Sequence, residues 1–274
     1  MKKSFAGKVA IITGSAQGIG KALAEELGDR GCYLVLADIN GALLEKVASD
    51  LRAAGADVEA TKVDVRDPRQ VEVLIRGAFQ ELGRIDYLFN NAGINVLAEL
   101  LDTSLGDWNR LIDVNLRGVV HGVHAAYPLM CEQGFGHIIN IASVAGLAPT
   151  PAEGAYAATK HAVVGLSTTL RIEAAAFGIK VSVVCPGAVD TPILHASKHV
   201  KFDSDAITEL SPEKPMAPRQ AARLILRGVE RGRFFIVISK TANAFWRAYR
   251  LAPEGSLLLG QLAMKRIRAI KRDA

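Results

Sequence analysis

The 274-residue chain has only three cysteines, Cys32, Cys131 and Cys185, far apart and with no CxxC pair. They offer neither a disulfide framework nor a zinc knot, and they fit a reducing compartment. No stretch of ~18 uncharged apolar residues occurs, so no transmembrane helix is expected. The opening Met-Lys-Lys-Ser-Phe has the charge of a signal n-region but lacks the apolar run and cleavage site that would follow it. Nothing repeats at a fixed period, and 25 Gly and 10 Pro are too few for a collagen-like or low-complexity chain. The six histidines form no cluster with metal-ligand spacing, so no metal is expected. The body also lacks an excess of one charge. From Lys240 onward eight Lys/Arg face two acids, a net +6, which leaves −1 for residues 1–239 out of the total of +5. Without a basic face of its own, the body is not expected to bind nucleic acid.

What is present is enough apolar sequence for a core: 50% hydrophobic and 22% charged residues. Short apolar runs alternate with helical patterns. Strands are expected at 9–13, 33–38, 57–63, 87–90, 137–142, 180–185 and 234–238. Helices are expected at 20–30, 40–54, 68–82, 107–131, 155–177 and 219–231. Continuous rather than alternating apolar runs indicate strands buried on both faces. The order predicts an α/β fold, a doubly wound, mostly parallel seven-stranded Rossmann-like sheet with helices on both faces. Residues 1–240 read as one catalytic domain. Within it, 188–218 lacks periodicity, contains Pro192, Pro212, Pro215 and Pro218, and is expected to be a substrate lid. Residues 241–274 read as a helical extension.

After the first strand comes Thr13-Gly14-Ser15-Ala16-Gln17-Gly18-Ile19-Gly20, then a helix. Glycines there let the backbone turn tightly and approach a pyrophosphate seated at the helix N-terminus. Asp38 ends the next strand, 18 residues past Gly20, where its carboxylate can accept the adenosine ribose hydroxyls and repel a 2′-phosphate. No Lys or Arg in Ser15–Gln17 would welcome that phosphate, so NAD(H) is favoured over NADP(H).

Tyr156 and Lys160 are four apart and share one helix face. A phenol is a poor base at neutral pH, and a neighbouring ammonium is expected to lower its pKa. Lys160 would also reach the nicotinamide ribose. Ser143, just past the fifth strand, can hydrogen-bond a carbonyl or alcohol oxygen. Asn115 lies mid-helix. Taken alone, Tyr156 and Lys160 have a plainer reading as a solvated helix pair and Asn115 as a core amide; together with Ser143, at these spacings, they favour catalysis.

These motifs in this order resemble the compact branch of the short-chain dehydrogenase/reductase family over residues 6–240. The resemblance implies that Asp64-Val65 contacts adenine. It implies that Asn91, Ala92 and Gly93, in the run Asn90-Asn91-Ala92-Gly93, help hold the cofactor. Pro186-Gly187 with Val189 and Thr191 would hold the nicotinamide carboxamide. Asn115, Ser143, Tyr156 and Lys160 would form a catalytic tetrad in which Asn115 anchors a water that relays protons from Lys160. The implied cofactor contacts are Gly14, Ser15, Gln17, Gly18, Ile19, Gly20, Asp38, Asp64, Val65, Asn91, Ala92, Gly93, Tyr156, Lys160, Pro186, Gly187, Val189 and Thr191. The reaction would pass a hydride between nicotinamide C4 and a carbinol carbon, with Tyr156 as acid and base. The basic tail departs from the pattern.

Val96, Leu97, Val144, Ala145, Leu147, Ile193 and Leu194 would line a mostly apolar pocket, pointing to a hydrophobic alcohol or ketone. Two alternatives stay open: a non-catalytic NAD(H)-binding sensor, and a reductase of acyl-carrier-protein-linked 3-ketoacyl thioesters. A homodimer or homotetramer is expected, because the helices at 107–131 and 155–177 carry more apolar surface than one sheet face needs. In the tail, Leu259, Leu262, Ala263, Ile267 and Ile270 recur at helical spacing beside Lys265, Arg268, Lys271 and Arg272. That basic amphipathic helix would either contact an anionic membrane or dock on a neighbouring subunit. The location expected is cytoplasmic, with the membrane contact peripheral.

Overall fold

A computed structural model describes residues 5–195, 198–202 and 214–269. Its centre is a parallel sheet of β1 (Val9–Thr13), β2 (Tyr33–Asp38), β3 (Val58–Lys62), β4 (Tyr87–Asn90), β6 (Gly136–Ile141), β7 (Ile179–Pro186) and β9 (Phe235–Ile238), in the order β3-β2-β1-β4-β6-β7-β9. The fold is Rossmann-like and doubly wound, as the alternation of runs predicts. The middle strands are buried on both faces: all five residues of β1 are buried, and Leu34, Leu36, Leu88 and Phe89 have no exposed surface. Parallel register carries Ile12 to Leu36 on one side and to Phe89 on the other.

Helices α1 (Gly18–Gly28), α2 (Gly41–Ala53), α3 (Pro68–Leu82), α4 (Leu105–Leu111), α5 (Gly118–Gln133), α6 (Gly154–Ala174) and α8 (Pro218–Glu230) flank the sheet. Two clusters fill the space between layers. One joins Leu23, Leu27 and Leu44 to Ile225 and Leu226; the other joins Ile75 to Met130, Val163 and Leu170. Helix α3 starts at an Asp67 cap whose carboxylate accepts the Arg69 amide, and stops at Gly83 with φ +69°.

The long helix expected at 107–131 is present as an unbroken run from Leu105 to Gln133, but it is not α-helical throughout. Between α4 and α5, residues Ile112–Arg117 form a π-helical turn. Its cause is tertiary. Asn115 is fully buried, its Nδ2 donates to the Ile94 carbonyl at 2.9 Å, and its Oδ1 accepts the Ile94 amide at 2.9 Å. An amide that holds a peptide group on another element displaces its own helix register, as such turns do at functional sites.

Outside the main sheet, β5 (Val96–Leu97) pairs in parallel with β8 (Lys198–His199), a ladder that the sequence pattern does not reveal. A short helix α7 (Pro192–His195) precedes β8. The expected lid thus has local structure on its first half, while 196, 197 and 203–213, with Pro212, lie outside the described residues.

The tail divides at Ala252 into α9 (Lys240–Leu251) and α10 (Pro253–Ala269). The Trp246 ring of α9 packs with its centre 5.1 Å from that of Phe235 on the edge strand. The predicted stripe is only partly covered. Met264 and Ile267 pack against Leu97, Ala152 and Phe202, whereas Leu257, Leu258, Leu259 and Leu262 are exposed. Ile270, Lys271 and Arg272 lie outside the described residues. The pair Arg268–Glu99, 2.6 Å, helps set this rotation. The docked face therefore rests on its own chain.

Candidate active site

In an open parallel sheet, ligands bind beyond the carboxyl ends of the strands where the order reverses, here between β1 and β4. The glycine loop leaves β1 at that point. Gly14 has φ +66°, and a Cβ on it would lie 2.7 Å from Ala92 Cα. A Cβ on Gly20 would lie 2.1 Å from the Gly14 carbonyl oxygen, so no side chain fits where α1 meets the loop. Asn91 ties the loop to β4: its Nδ2 donates to the carbonyls of Thr13 and Gly14, both at 2.9 Å. Thr13 Oγ1 in turn accepts the amides of Asn91 and Ala92. Ser15 Oγ donates to the Ala37 carbonyl, Gln17 caps α1 in extended backbone, and Ile19 packs on the core.

Asp38 lies where the sequence puts it, at the carboxyl end of β2. Its two oxygens accept the amides of Ala16 and Asn40, at 3.0 and 2.9 Å. Each oxygen keeps a lone pair for a hydroxyl donor. Asp64 is engaged by its neighbour: Arg66 Nε donates to both carboxylate oxygens at 2.9 Å, which holds the carboxyl below its ordinary range. Val65 is buried against Gly118, and its carbonyl meets His121 Nδ1 at 2.8 Å. At the other side of the cleft, Gly187 follows β7 and its amide donates to Ile238. Val189 and Thr191 are buried, and the Thr191 methyl would stand 3.2 Å from a Cβ on Gly18. Thr191 thus stands against the glycine loop. These residues fit a dinucleotide: a loop cleared of side chains at a helix N-terminus, with a fixed carboxylate one strand away.

The four tetrad candidates meet at the ends of β6 and α6. Ser143 caps the 3-10 turn Val144–Gly146, its Oγ accepting the Ala145 amide at 3.1 Å, and its hydroxyl stands near the Tyr156 phenol. Lys160 Nζ stands 5.5 Å from the Tyr156 ring centre and donates to the Ile141 carbonyl at 2.9 Å. Asn115 Nδ2 reaches Thr159 Oγ1 at 3.3 Å. A Cβ on Gly93 would lie 3.4 Å from Asn115 Oδ1 and 3.5 Å from Lys160 Nζ, so the β4 loop closes over both.

The electrostatics differ from expectation. Burial pushes the Lys160 amine down to about 8. Burial also pushes the Tyr156 phenol above its ordinary range, with the Glu153 charge adding and the nearby Ser143 hydroxyl opposing. In the protein alone, then, the ammonium does not pull the phenol pKa down, because desolvation outweighs it and Nζ is directed at Ile141. Two neighbours escaped the sequence reading. Cys185, raised to about 12 by burial, lies beside Lys160 and the Ser143 backbone. Glu153, three residues before Tyr156, carries a carboxyl raised by burial and bound by Asn95. The i, i+3 spacing from Tyr156 was its only signal.

The apolar lining is also less open than expected. Val96, Leu97, Ala145 and Leu147 are buried, Val96 beside Tyr156 and Trp108 and Leu97 beneath α10. Val144, Ile193 and Leu194 keep exposed surface.

The model of the short chain dehydrogenase family matches residues 8–201. The chain belongs to the short-chain dehydrogenase family. Among its relatives, the oxidoreductase UcpA of Escherichia coli strain K12 is 40% identical over 214 residues, 77% of this chain and 81% of that protein. An oxidoreductase of Staphylococcus aureus strain MW2 is 39% identical over 205 residues, covering 74% and 88%. Among solved structures, a short-chain dehydrogenase/reductase from Burkholderia phymatum in complex with NAD has a TM-score of 0.84 at 34% identity, covering 91% of this chain and 95% of that one. As a short-chain dehydrogenase the chain is an NAD(P)-dependent oxidoreductase. The family match ends before α8, β9, α9 and α10.

Proposed function

We propose that the chain interconverts a secondary alcohol and a ketone on a substrate with a hydrophobic body, with NAD(H) favoured over NADP(H) and Tyr156 as general acid and base. One observation carries the reading: Ser143 near the Tyr156 phenol and Lys160 Nζ 5.5 Å from its ring centre, at the strand ends that also hold the glycine loop. The bound dinucleotide would supply the hydride acceptor or donor. Ser143 Oγ orients the carbinol or carbonyl oxygen. Tyr156 takes the hydroxyl proton in oxidation and returns it in reduction. Lys160 holds the ribose hydroxyls and passes protons toward Asn115. Asp38 accepts the adenosine ribose hydroxyls. The NAD bound to the Burkholderia phymatum relative supports the cofactor. An intact Ser-Tyr-Lys set argues against a silent binding module, which has no physical use for it. NADH absorbance during a screen of secondary alcohols, with NAD and NADP side by side, tests the reading.

The catalytic body would span 1–240, with 188–218 as its lid and 241–274 as an added helical segment. A homo-oligomer would form through α5 and α6. Val119, Ala125, Ala126 and Val163 are spent on the chain's own core, but Val120, Ala162, Val164 and Gly165 keep exposed surface, and a groove between these helices is lined by Val120, Tyr127 and Leu166. The exposed leucines of α10 beside Lys265 and Arg266 are the surface that a peripheral membrane contact would use. No helix among the described residues is long and apolar enough to cross a membrane.

A further inference from the structure

We infer that Glu153, Asn95 and Thr150 form a polar subsite beside the reacting centre, which takes a hydrogen-bond donor carried by the substrate near its carbinol carbon. The inference rests on the oxidoreductase reading and narrows its substrate to a hydrophobic body with a second hydroxyl or an amino group.

Asn95 Nδ2 donates to Glu153 Oε1 at 2.6 Å. Among the described residues, Asn95 Oδ1 and Thr150 Oγ1 are buried without any hydrogen-bond partner. The Thr150 hydroxyl stands near the Glu153 carboxyl without ordinary hydrogen-bond geometry. Buried polar atoms are nearly always satisfied, and an orphan needs an explanation. Here the unmet groups are an amide oxygen, which can only accept, and a hydroxyl, beside a carboxyl that Asn95 holds by one oxygen. The complement of that set is a donor, and a carboxylate rewards a cationic donor most.

The placement adds to the argument. Glu153 precedes α6, and Tyr156 is three residues on, so the two side chains are neighbours at the helix start. The Glu153 charge already acts on the Tyr156 phenol. Asn95 follows Ile94, the residue whose peptide groups Asn115 grips. The subsite is therefore in the same wall as the tetrad. Its cover is the β5–β8 ladder with Phe202, which packs on Ala152 next to Glu153 beneath Met264 and Ile267.

The test uses three probes of one length: hexan-3-ol, hexane-3,4-diol and 4-aminohexan-3-ol. Their binding to the full chain is measured by calorimetry with and without NADH. Binding needs no turnover, so a chain that oxidises no alcohol still reports on the subsite, while a parallel NAD turnover assay judges the enzyme reading separately. The diol and the amino alcohol should each bind ~10-fold tighter than the mono-alcohol. Glu153→Leu should collapse both ratios toward 1. Glu153→Gln, which keeps shape and hydrogen bonding, should collapse the ratio for the amino alcohol and leave part of that for the diol. A diol advantage alone assigns the donor as hydroxyl, and an amine advantage alone as ammonium. The inference is overturned if the parent binds all three alike, or if Glu153→Leu weakens all three by one factor, the mark of a purely structural residue. Should the leucine variant not fold, the Gln ratios decide.

Discussion

The Asp38 carboxylate at the end of β2 accepts the Ala16 amide at 3.0 Å, so the residue read as the ribose acceptor also fixes the glycine loop. In the proposed reading its charge would repel a 2′-phosphate. NAD is expected to exceed NADP in kcat/KM by at least ~10-fold, about 1.4 kcal/mol. Asp38→Ala should narrow that gap and also cost ~1 kcal/mol of stability through the lost loop bond. Equal kcat/KM values for the two cofactors in the parent protein would refute this.

His137 sets a pH limit on stability. It is buried, contacts Ser182 Oγ at 2.7 Å, and burial pushes it down to about 3 from 6.5. Below about 6.5 the unfolded chain binds a proton that the folded chain refuses. Stability from this group is therefore full above pH ~6.5 and falls as the pH drops, at ~1.4 kcal/mol per pH unit, down to about 3. Urea unfolding at pH 7, 6 and 5 should show the decline, and His137→Gln should flatten it. An unchanged slope in the variant would assign the acid sensitivity elsewhere.

Where local chemistry decides structure, the sequence was enough. β1, β2 and β4 coincide with their apolar runs because central parallel strands are buried on both faces. α3 coincides with its reading because Asp67, Pro68 and Gly83 mark both ends. The tetrad candidates converge because strand ends and one helix face set their positions. What the sequence hid is set by distant partners. The π-helical turn at Asn115 depends on Ile94, 21 residues earlier. The β5–β8 ladder has two residues per strand, too short for any period. The rotation of α10 depends on Leu97, Ala152 and Glu99. Glu153 reads as a surface acid until Asn95 is seen against it.

The docked face of α10 makes a separable prediction. Met264 and Ile267, both partly buried, contribute about 1 kcal/mol each, and the exposed pair Arg268–Glu99 adds at most ~1 kcal/mol. The double change Met264→Glu, Ile267→Glu should free α10 and lower amide protection in β5 and β8. Hydrogen exchange at Val96–Leu97 and Lys198–Val200 reads this. Unaltered protection would mean that the cover is held without the tail.

Assembly through α5 and α6 predicts an oligomer at micromolar concentration that survives truncation after Lys240. Val120→Arg with Leu166→Arg should give monomers by sedimentation. A parent protein that sediments as a monomer contradicts the assembly. A truncation that alone dissociates it would move the interface to the tail.

The role of Tyr156 is the centre of the account. The decisive measurement is kcat/KM for oxidation of one responsive secondary alcohol, in the parent and in Tyr156→Phe, with the NADH dissociation constant measured on both. The phenylalanine keeps the ring beside Lys160 and removes only the hydroxyl near Ser143. The account predicts a fall of ~10²–10⁴-fold in kcat/KM with little change in NADH affinity. Equal rates in the two proteins would contradict it.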